Sequence, residues 1–341
     1  MALLFIEGAE HEGDGVSMAA KWESSDATGY NLPTTARKRT GTYSLQIGSG
    51  RLCSKALPVS GATAIVGFAF YQTNATQTAE LLDICEGNPF SGGIIHFVLG
   101  MASGNFLQAK VGSTVLQTAG TPLAANSWYY IEVKVTIHDT TGSYDVRVDG
   151  ASVLSGTNVD TRNGGTGVWN RIQLATNSFA SDRFYDDLYV CDGSGSLNNN
   201  FLGACRVENL MAQTGNGSNV GLTPSTGTDH GALVDEVPPN TTDYNSSPTV
   251  GAKDTYNLPS LTLSGAILGV QTSLFVAKTD AGARTVCTVC RVGGTDYDGA
   301  NYTPLTTFGY LTEMRQVSPA TGIAWTSAEI DGLEVGMKVT A

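Results

Sequence analysis

The segment Trp128–Ile137, WYYIEVKVTI, alternates with a period of two along the length of a full strand. Tyr129, Ile131, Val133, Val135 and Ile137 fall on one face, and Tyr130, Glu132, Lys134 and Thr136 on the other. Successive strand side chains point to opposite faces of a sheet, so the pattern predicts one buried face and one wet face. After His138–Gly142 a second alternating run places Tyr144, Val146 and Val148 against Asp145, Arg147 and Asp149. Asp149-Gly150 then predicts a tight hairpin turn into Val153-Leu154. Three consecutive antiparallel strands make a meander, so the chain contains an antiparallel sheet.

Other stretches share this character. Ala64–Tyr71 and Gly92–Leu99 are apolar, β-prone runs too short and irregular for a helix, and Phe184–Val190, FYDDLYV, reads as a further strand. Turns are frequent, with 41 Gly and 11 Pro, and charged residues make up 15%, below the usual quarter or so. From Cys205 to about Asn257 the sequence turns polar and Gly-rich, with too little apolar surface for a core of its own. This predicts an extended connector over 201–260, ordered by lying on another surface. Strand patterns return at Leu261, where Ala266–Lys278 and Arg284–Val292 read as a β pair around Thr279–Gly282. Thr326-Ser-Ala-Glu329 matches a capping box and predicts a single helical turn, followed by a strand over Leu333–Val339. This tail reads as a small β unit, or as an arm that completes a neighbour's sheet.

The net charge of −12 comes without any basic stripe, so nucleic acid is not an expected partner. No apolar run reaches about 18 residues, so membrane insertion is not expected. The start, MALLFIEGAEHEGDG, lacks a basic segment and turns acidic within its first residues, so no secretory signal is expected.

Six cysteines stand at Cys53, Cys85, Cys191, Cys205, Cys287 and Cys290. Cys287 and Cys290 form the one close pair, but a zinc ribbon needs two such pairs, and strand residues three apart point to opposite faces. Buried free thiols are the plain reading, and cross-links between subunits, formed outside a reducing cytosol, the sharper one. His11, His96, His138 and His230 show no metal spacing with one another or with a Cys, so no metal or cofactor is expected. No P-loop, nucleophile elbow or EF-hand loop is present. Glu80, Asp83 and Glu86 run as E-x-x-D-x-x-E, whereas several jelly-roll glucanases carry E-x-D-x-x-E. At this spacing Glu80 and Glu86 share a face and Asp83 points away unless a bulge intervenes. The sequons at Asn74, Asn216, Asn240 and Asn245 are expected by chance in so Asn- and Thr-rich a chain. Trp22, Trp128, Trp169 and Trp325 are candidates for stacking on sugar rings, with core packing the plainer reading of each.

Two stretches carry a family resemblance. WYYIEVKVTIHDTTGSYDVRVDG (128–150) and FYDDLYV (184–190) resemble strands of concanavalin-A-like, laminin-G-like domains. FLGACRVENLMA (201–212), TPSTGTDH (223–230), VDEVPPNTTDY (234–244) and GAKDTY (251–256) resemble the connector, and GGTDYDG (293–299) and SPATGIAWTSAEIDGLEVGMKV (318–339) the C-terminal unit, of virion proteins of tailed bacteriophages. The resemblance implies an all-β chain: a concanavalin-A-like jelly-roll sandwich over 1–200, the connector over 201–260, and a small C-terminal assembly unit over 261–341. It further implies a non-enzymatic structural or accessory virion protein (tail fibre, baseplate or capsid decoration), made in the host cytoplasm and released by lysis. The partners would be other virion proteins and copies of itself, a trimer being favoured, together with host surface polysaccharide. The alternatives are a carbohydrate-binding module and, behind it, a glycoside hydrolase. No catalytic residue and no calcium ligand is carried across. On the virion reading the purified protein self-associates or binds another particle component in analytical ultracentrifugation; a stable monomer with affinity for no particle protein would count against it.

Overall fold

The computed structural model describes residues 2–23, 31–48, 51–73, 78–174 and 183–341. The chain is all-β and divides into two compact units, one of residues 1–10 and 14–207, the other of 11–13 and 208–341.

The first unit opens with β1 (Leu3–Glu7), α1 (Gly15–Lys21), β2 (Asn31–Thr34), β3 (Ser44–Ile47), β4 (Cys53–Gly61) and β5 (Thr63–Gln72). It continues through β6 (Ala79–Glu86), β7 (Ile94–Ala102), β8 (Phe106–Val111), β9 (Thr114–Thr118) and β10 (Tyr129–Thr136). β11 (Gly142–Val148), β12 (Ala151–Val159), β13 (Trp169–Leu174) and β14 (Arg183–Cys191) complete it. An eight-stranded sheet has the order β12-β11-β10-β5-β14-β3-β2, with β1 also on β14; a six-stranded sheet has the order β4-β13-β6-β7-β8-β9. One core is shared between them, with Phe68, Phe70, Ile131, Val133 and Val135 from the first sheet and Leu82, Ile84, Phe97, Leu99, Ile172 and Leu174 from the second. The unit is therefore a β-sandwich.

The meander β10-β11-β12 stands where the alternation predicts it. Asp149 and Gly150 have φ of 50° and 83°, the two positive values that a type I′ turn demands. The short helix α1 was not expected; Asp14 caps it, accepting from the Ser17 N–H at 2.8 Å.

The expected wet face of β10 is not wet. Tyr130 and Glu132 are each 2% exposed. Residues 200–207 lie across this face as a strap, held by a chain of polar contacts. The Tyr189 hydroxyl donates to Glu132 Oε1 at 2.5 Å, the Gly203 N–H to the same oxygen at 2.8 Å, and the Leu202 N–H to the Tyr189 oxygen at 3.1 Å. Lys134 reaches Asn200 Oδ1 at 3.1 Å, and the Arg147 guanidinium sits 4.0 Å from the Phe201 ring centroid. Gly67 makes room for Tyr189: a Cβ there would lie 2.2 Å from Tyr189 Cε1.

The second unit holds β15 (Thr223–Pro224), β16 (Asn245–Ser246), β17 (Lys253–Asn257), β18 (Val270–Val276) and β19 (Val286–Val292). β20 (Thr295–Asp298), β21 (Gly309–Arg315), α2 (Ser327–Asp331) and β22 (Glu334–Val339) follow. Its main sheet has the order β17-β22-β19-β20. Residues from 208 to 260 thus belong with the C-terminal unit, although much of this stretch is loop. Polar bonds help tie it there: buried Asp254 on β17 accepts from the Gly221 and Leu222 N–H groups at 2.7 and 2.8 Å and pairs with His230 Nδ1 at 2.6 Å. The expected pair of β18 with β19 does not form. β18 pairs with β21, while β19 turns at Gly293-Gly294, both at positive φ, into β20. The capping box is present as expected, with Thr326 and Glu329 bonded reciprocally. Trp325, Ile330 and Leu333 pack with Cys290 and Val292 as the core of this unit.

Replacing Gly67 with Ala is expected to push the Tyr189 ring out of place and lower stability by roughly 1–3 kcal/mol. Urea unfolding of the variant checks this, and an unchanged midpoint would refute the role given to Gly67.

Candidate functional site

The site is built on the outer face of the six-stranded sheet, and a bulge in β6 creates it; a second irregularity in the same ladder adds a residue to β7 between Ile95 and Phe97. Glu80 opposes Gly100 and Leu82 opposes Leu99, so β6 carries one extra residue at this point. The slip turns Asp83 onto the same face as Glu80, and this overturns the expected pairing of Glu80 with Glu86. Asp83 stands beside Gln173 of β13, whose neighbours Ile172 and Leu174 are core residues, so both polar side chains point outward. Cys85 stands beside Arg171, which in turn opposes Ala56 of β4; Gln173 opposes Ser54. Across β7, Val98 and Gly100 oppose Lys110 and Gln108 of β8.

The face is a polar strip, buried along its centre and half-buried at its rim. Ser54, Arg171, Gln173, Asp83 and Cys85 are buried, whereas Glu80, Gln108 and Lys110 are partly accessible. Arg171 donates through Nη1 to Ser54 Oγ at 2.6 Å and pairs through Nη2 with Glu23 at 2.5 Å. Arg171 Nε and Gln173 Nε2 are buried and have no hydrogen-bond partner among the described residues. The Lys110 chain leans over Gly100, where a Cβ would lie 2.8 Å from Lys110 Cε; among the described residues Lys110 makes no ion pair. Burial, reinforced by the Asp83 charge and opposed by Arg171, pushes the Cys85 thiol up, so it stays protonated. Amide, guanidinium, ammonium and carboxylate groups fixed on strands present donors and acceptors in a set geometry. Such a surface suits a ligand rich in hydroxyl groups. Glu80 and Asp83 are also the residue types that flank a scissile bond in glycoside hydrolysis.

Glu86 belongs to a separate cluster. Its carboxylate accepts from the Thr166 N–H and hydroxyl at 2.9 and 2.7 Å, and His96 Nε2 lies 3.1 Å away. The Asn163 N–H points at His96 Nδ1 (3.3 Å), so Nδ1 accepts and Nε2–H donates to Glu86. Burial pushes the Glu86 carboxyl up, but the Thr166 and His96 bonds outweigh it and hold the group below its ordinary value.

The remaining candidates take other places. His230 is bonded to Asp254, His138 Nδ1 accepts from the Thr140 and Thr141 N–H groups, and His11 packs edge-on to Tyr310. Trp22, Trp169 and Trp325 are buried, and Trp128 is half-buried against Tyr71. None of the six cysteines forms a disulfide within the chain. A bridge to another subunit needs an accessible sulfur. Cys53, Cys85, Cys191, Cys287 and Cys290 are at most 1% exposed, which leaves Cys205. Burial first, then the Glu132 charge, pushes the Cys205 thiol up to about 11, which makes it a weak nucleophile. Asn245 is engaged with His230 and Tyr256, and the Asn74 sequon lies outside the described residues. Arg171, Gln173 and Lys110 were not singled out from sequence, although the alternation in RIQL (171–174) and FLQAKV (106–111) marks them as outward-facing; Ser54 carries no such signal.

A second carboxylate cluster has a structural task. Asp187 (φ 51°) sits in a bulge of β14 and binds Arg39 at 2.5 Å and the Thr40 hydroxyl at 2.7 Å. Asp186 accepts from the Arg39 and Thr40 N–H groups at 2.8 and 3.1 Å. Burial, then the Asp187 charge, pushes the Asp186 carboxyl up to about 7 from its ordinary 3.8, against its backbone hydrogen bonds.

No protein-family profile and no curated protein matches the sequence. Several solved structures are similar in fold to the chain. One is an endo-β-1,4-glucuronan lyase from the fungus Trichoderma reesei, 14% identical, with a TM-score of 0.43, covering 55% of this chain and 94% of that one. Another is the alginate lyase Aly36B, 12% identical, with a TM-score of 0.39, covering 56% and 95%. A Trypanosoma rangeli sialidase is 13% identical, with a TM-score of 0.34, covering 48% and 27%. At these values no residue and no reaction is transferred. The expectation of a non-enzymatic protein is nevertheless corrected: the three solved structures just named are enzymes, and the β-sandwich supplies no ground for setting catalysis aside.

Because its carboxyl pKa is raised in the folded state, Asp186 adds stability that is whole below about pH 3.8, declines as the pH climbs and is lost above about 7. In denaturant titrations between pH 4 and 8, Asp186→Asn is expected to remove this part of the decline. Parallel curves for the two proteins would refute the assignment.

Proposed function

We propose that the N-terminal sandwich contacts carbohydrate through the outer face of its six-stranded sheet. The observation that carries this reading is the polar composition of that face: half-buried Glu80, Gln108 and Lys110 on β6 and β8, beside buried Asp83, Arg171 and Gln173. Glycan hydroxyl groups both donate and accept, which matches a strip that offers carboxylate, amide and ammonium groups together. The opposite sheet offers less: the strap of residues 200–207 already engages Glu132, Lys134 and Arg147.

A second reading, cleavage of the bound glycan, is favoured by the bulge that brings Glu80 and Asp83 onto one face. The setting proposed with either reading is the particle of a tailed bacteriophage, with contact to host surface polysaccharide. This setting rests on the resemblance of the segments 201–212, 223–230, 234–244, 251–256, 293–299 and 318–339. Self-association, a trimer being favoured, and contacts with other virion proteins belong to the same proposal.

A glycan array with the folded protein, followed by calorimetry on the strongest ligand, tests the binding. Gln173→Leu and Lys110→Met are each expected to weaken it about tenfold without lowering the melting temperature. No ligand on the array, or affinities equal to wild type in both variants, would sink the proposal. Reducing ends released from the same ligand by wild type, and lost in Glu80→Gln, would establish cleavage.

A further inference from the structure

We infer that Phe90 is a stacking subsite for a pyranose ring at one end of the glycan-contacting face, and this rests on the carbohydrate reading above. Phe90 lies in the turn joining β6 to β7, the strands that carry Glu80, Asp83 and Gly100. It is 66% exposed. The exposed large apolar side chains of the first unit, among the described residues, are Val16, Phe90, Val115 and Leu197, and Phe90 is the aromatic one.

A single exposed apolar residue is ordinary in itself. What sets Phe90 apart is how firmly its turn is built. Asn88 Oδ1 accepts from the Phe90 N–H at 3.0 Å, and the Asn88 carbonyl accepts from Ser91 and Gly93 at 2.9 and 2.8 Å. Pro89 begins the turn, Gly92 closes it at φ 84°, and a Cβ at Gly93 would lie 2.5 Å from the Asn88 carbonyl carbon. The Gly87 N–H donates to Asn170 Oδ1 at 2.7 Å, so the turn is pinned to β13 beside Arg171. The backbone that presents the ring is thus fixed before a ligand arrives, and only the two side-chain torsions of Phe90 remain to be ordered when it is covered.

Aromatic rings offer broad apolar contact, and a pyranose presents apolar C–H groups on its ring faces. Glu80 to Glu86 spans about 20 Å of strand, enough for several sugar units in a row. A chain lying along β6 would meet Lys110 and Glu80 first, then Asp83 and Gln173, then Arg171, and Phe90 last. Phe90 therefore adds affinity to longer oligosaccharides and none to the shortest ones. The ligand class is a pyranose-based glycan with an exposed C–H face at that end.

The experiment measures wild type, Phe90→Ala and Phe90→Trp against a size series of the array's strongest oligosaccharide. Affinity of wild type is expected to rise with chain length. Phe90→Ala is expected to lose roughly tenfold on the long members and nothing on the short ones, and Phe90→Trp to keep the wild-type pattern. If wild type binds the series but Phe90→Ala matches it at every length, or loses equally at every length, the stacking subsite is wrong and the carbohydrate reading stands. If folded wild type binds no glycan, both fall together.

Discussion

Glu132 is a carboxylate buried in the middle of a sheet face, and such a group is tolerated only when its oxygens are bonded. The Tyr189 hydroxyl and the Gly203 N–H both donate to its Oε1, and Tyr189 fits there because position 67 has no side chain. This small set of contacts decides how the two faces of the sandwich are used. It draws the polypeptide after β14 across the eight-stranded sheet. The six-stranded sheet keeps polar groups whose hydrogen-bonding capacity its own unit does not exhaust.

Much of the fold is readable from local pattern. The alternation in β10 and β11, the Asp149-Gly150 turn and the Thr326–Glu329 capping box each concern residues close in sequence, and each stands where expected. What could not be read depends on distant partners. The face of Tyr130 and Glu132 is buried by a segment some 70 residues downstream, and β18 finds its partner in β21 and not in the next strand. The candidate site lies between these cases. Arg171, Gln173 and Lys110 follow the alternation of their strands, but the bulge that gathers Glu80 with Asp83 is signalled only by the doubled apolar pair Leu81-Leu82, where strict alternation would put one polar residue. The spacing argument was sound for an unbroken strand, and β6 is not one.

The second unit shows a different solution to the shortage of apolar residues. Its polar stretch could not fold around a core of its own, and it does not. Asp254 gathers two backbone donors and His230, Glu334 binds the Ser218 N–H at 2.8 Å and the Thr255 hydroxyl at 2.5 Å, and Asp296 pairs with Lys253 and with Arg291 at 2.7 Å. Hydrogen-bonded carboxylates thus do on the loops what Trp325, Ile330 and Leu333 do beneath the helix.

The strap has a mechanical consequence. Tension applied to the chain beyond Val207 does not enter the sandwich at the end of a strand. It meets the Val207 N–H on Asp187 first, then the Gly203 bond to Glu132 and the Leu202 bond to Tyr189, and reaches the last residue of β14 only after these. Loaded in that sequence, the contacts peel one at a time, and several residues of slack are released before any β-ladder bears force. The sandwich is thereby fitted with an extensible tether that absorbs a pull before its own sheets begin to open.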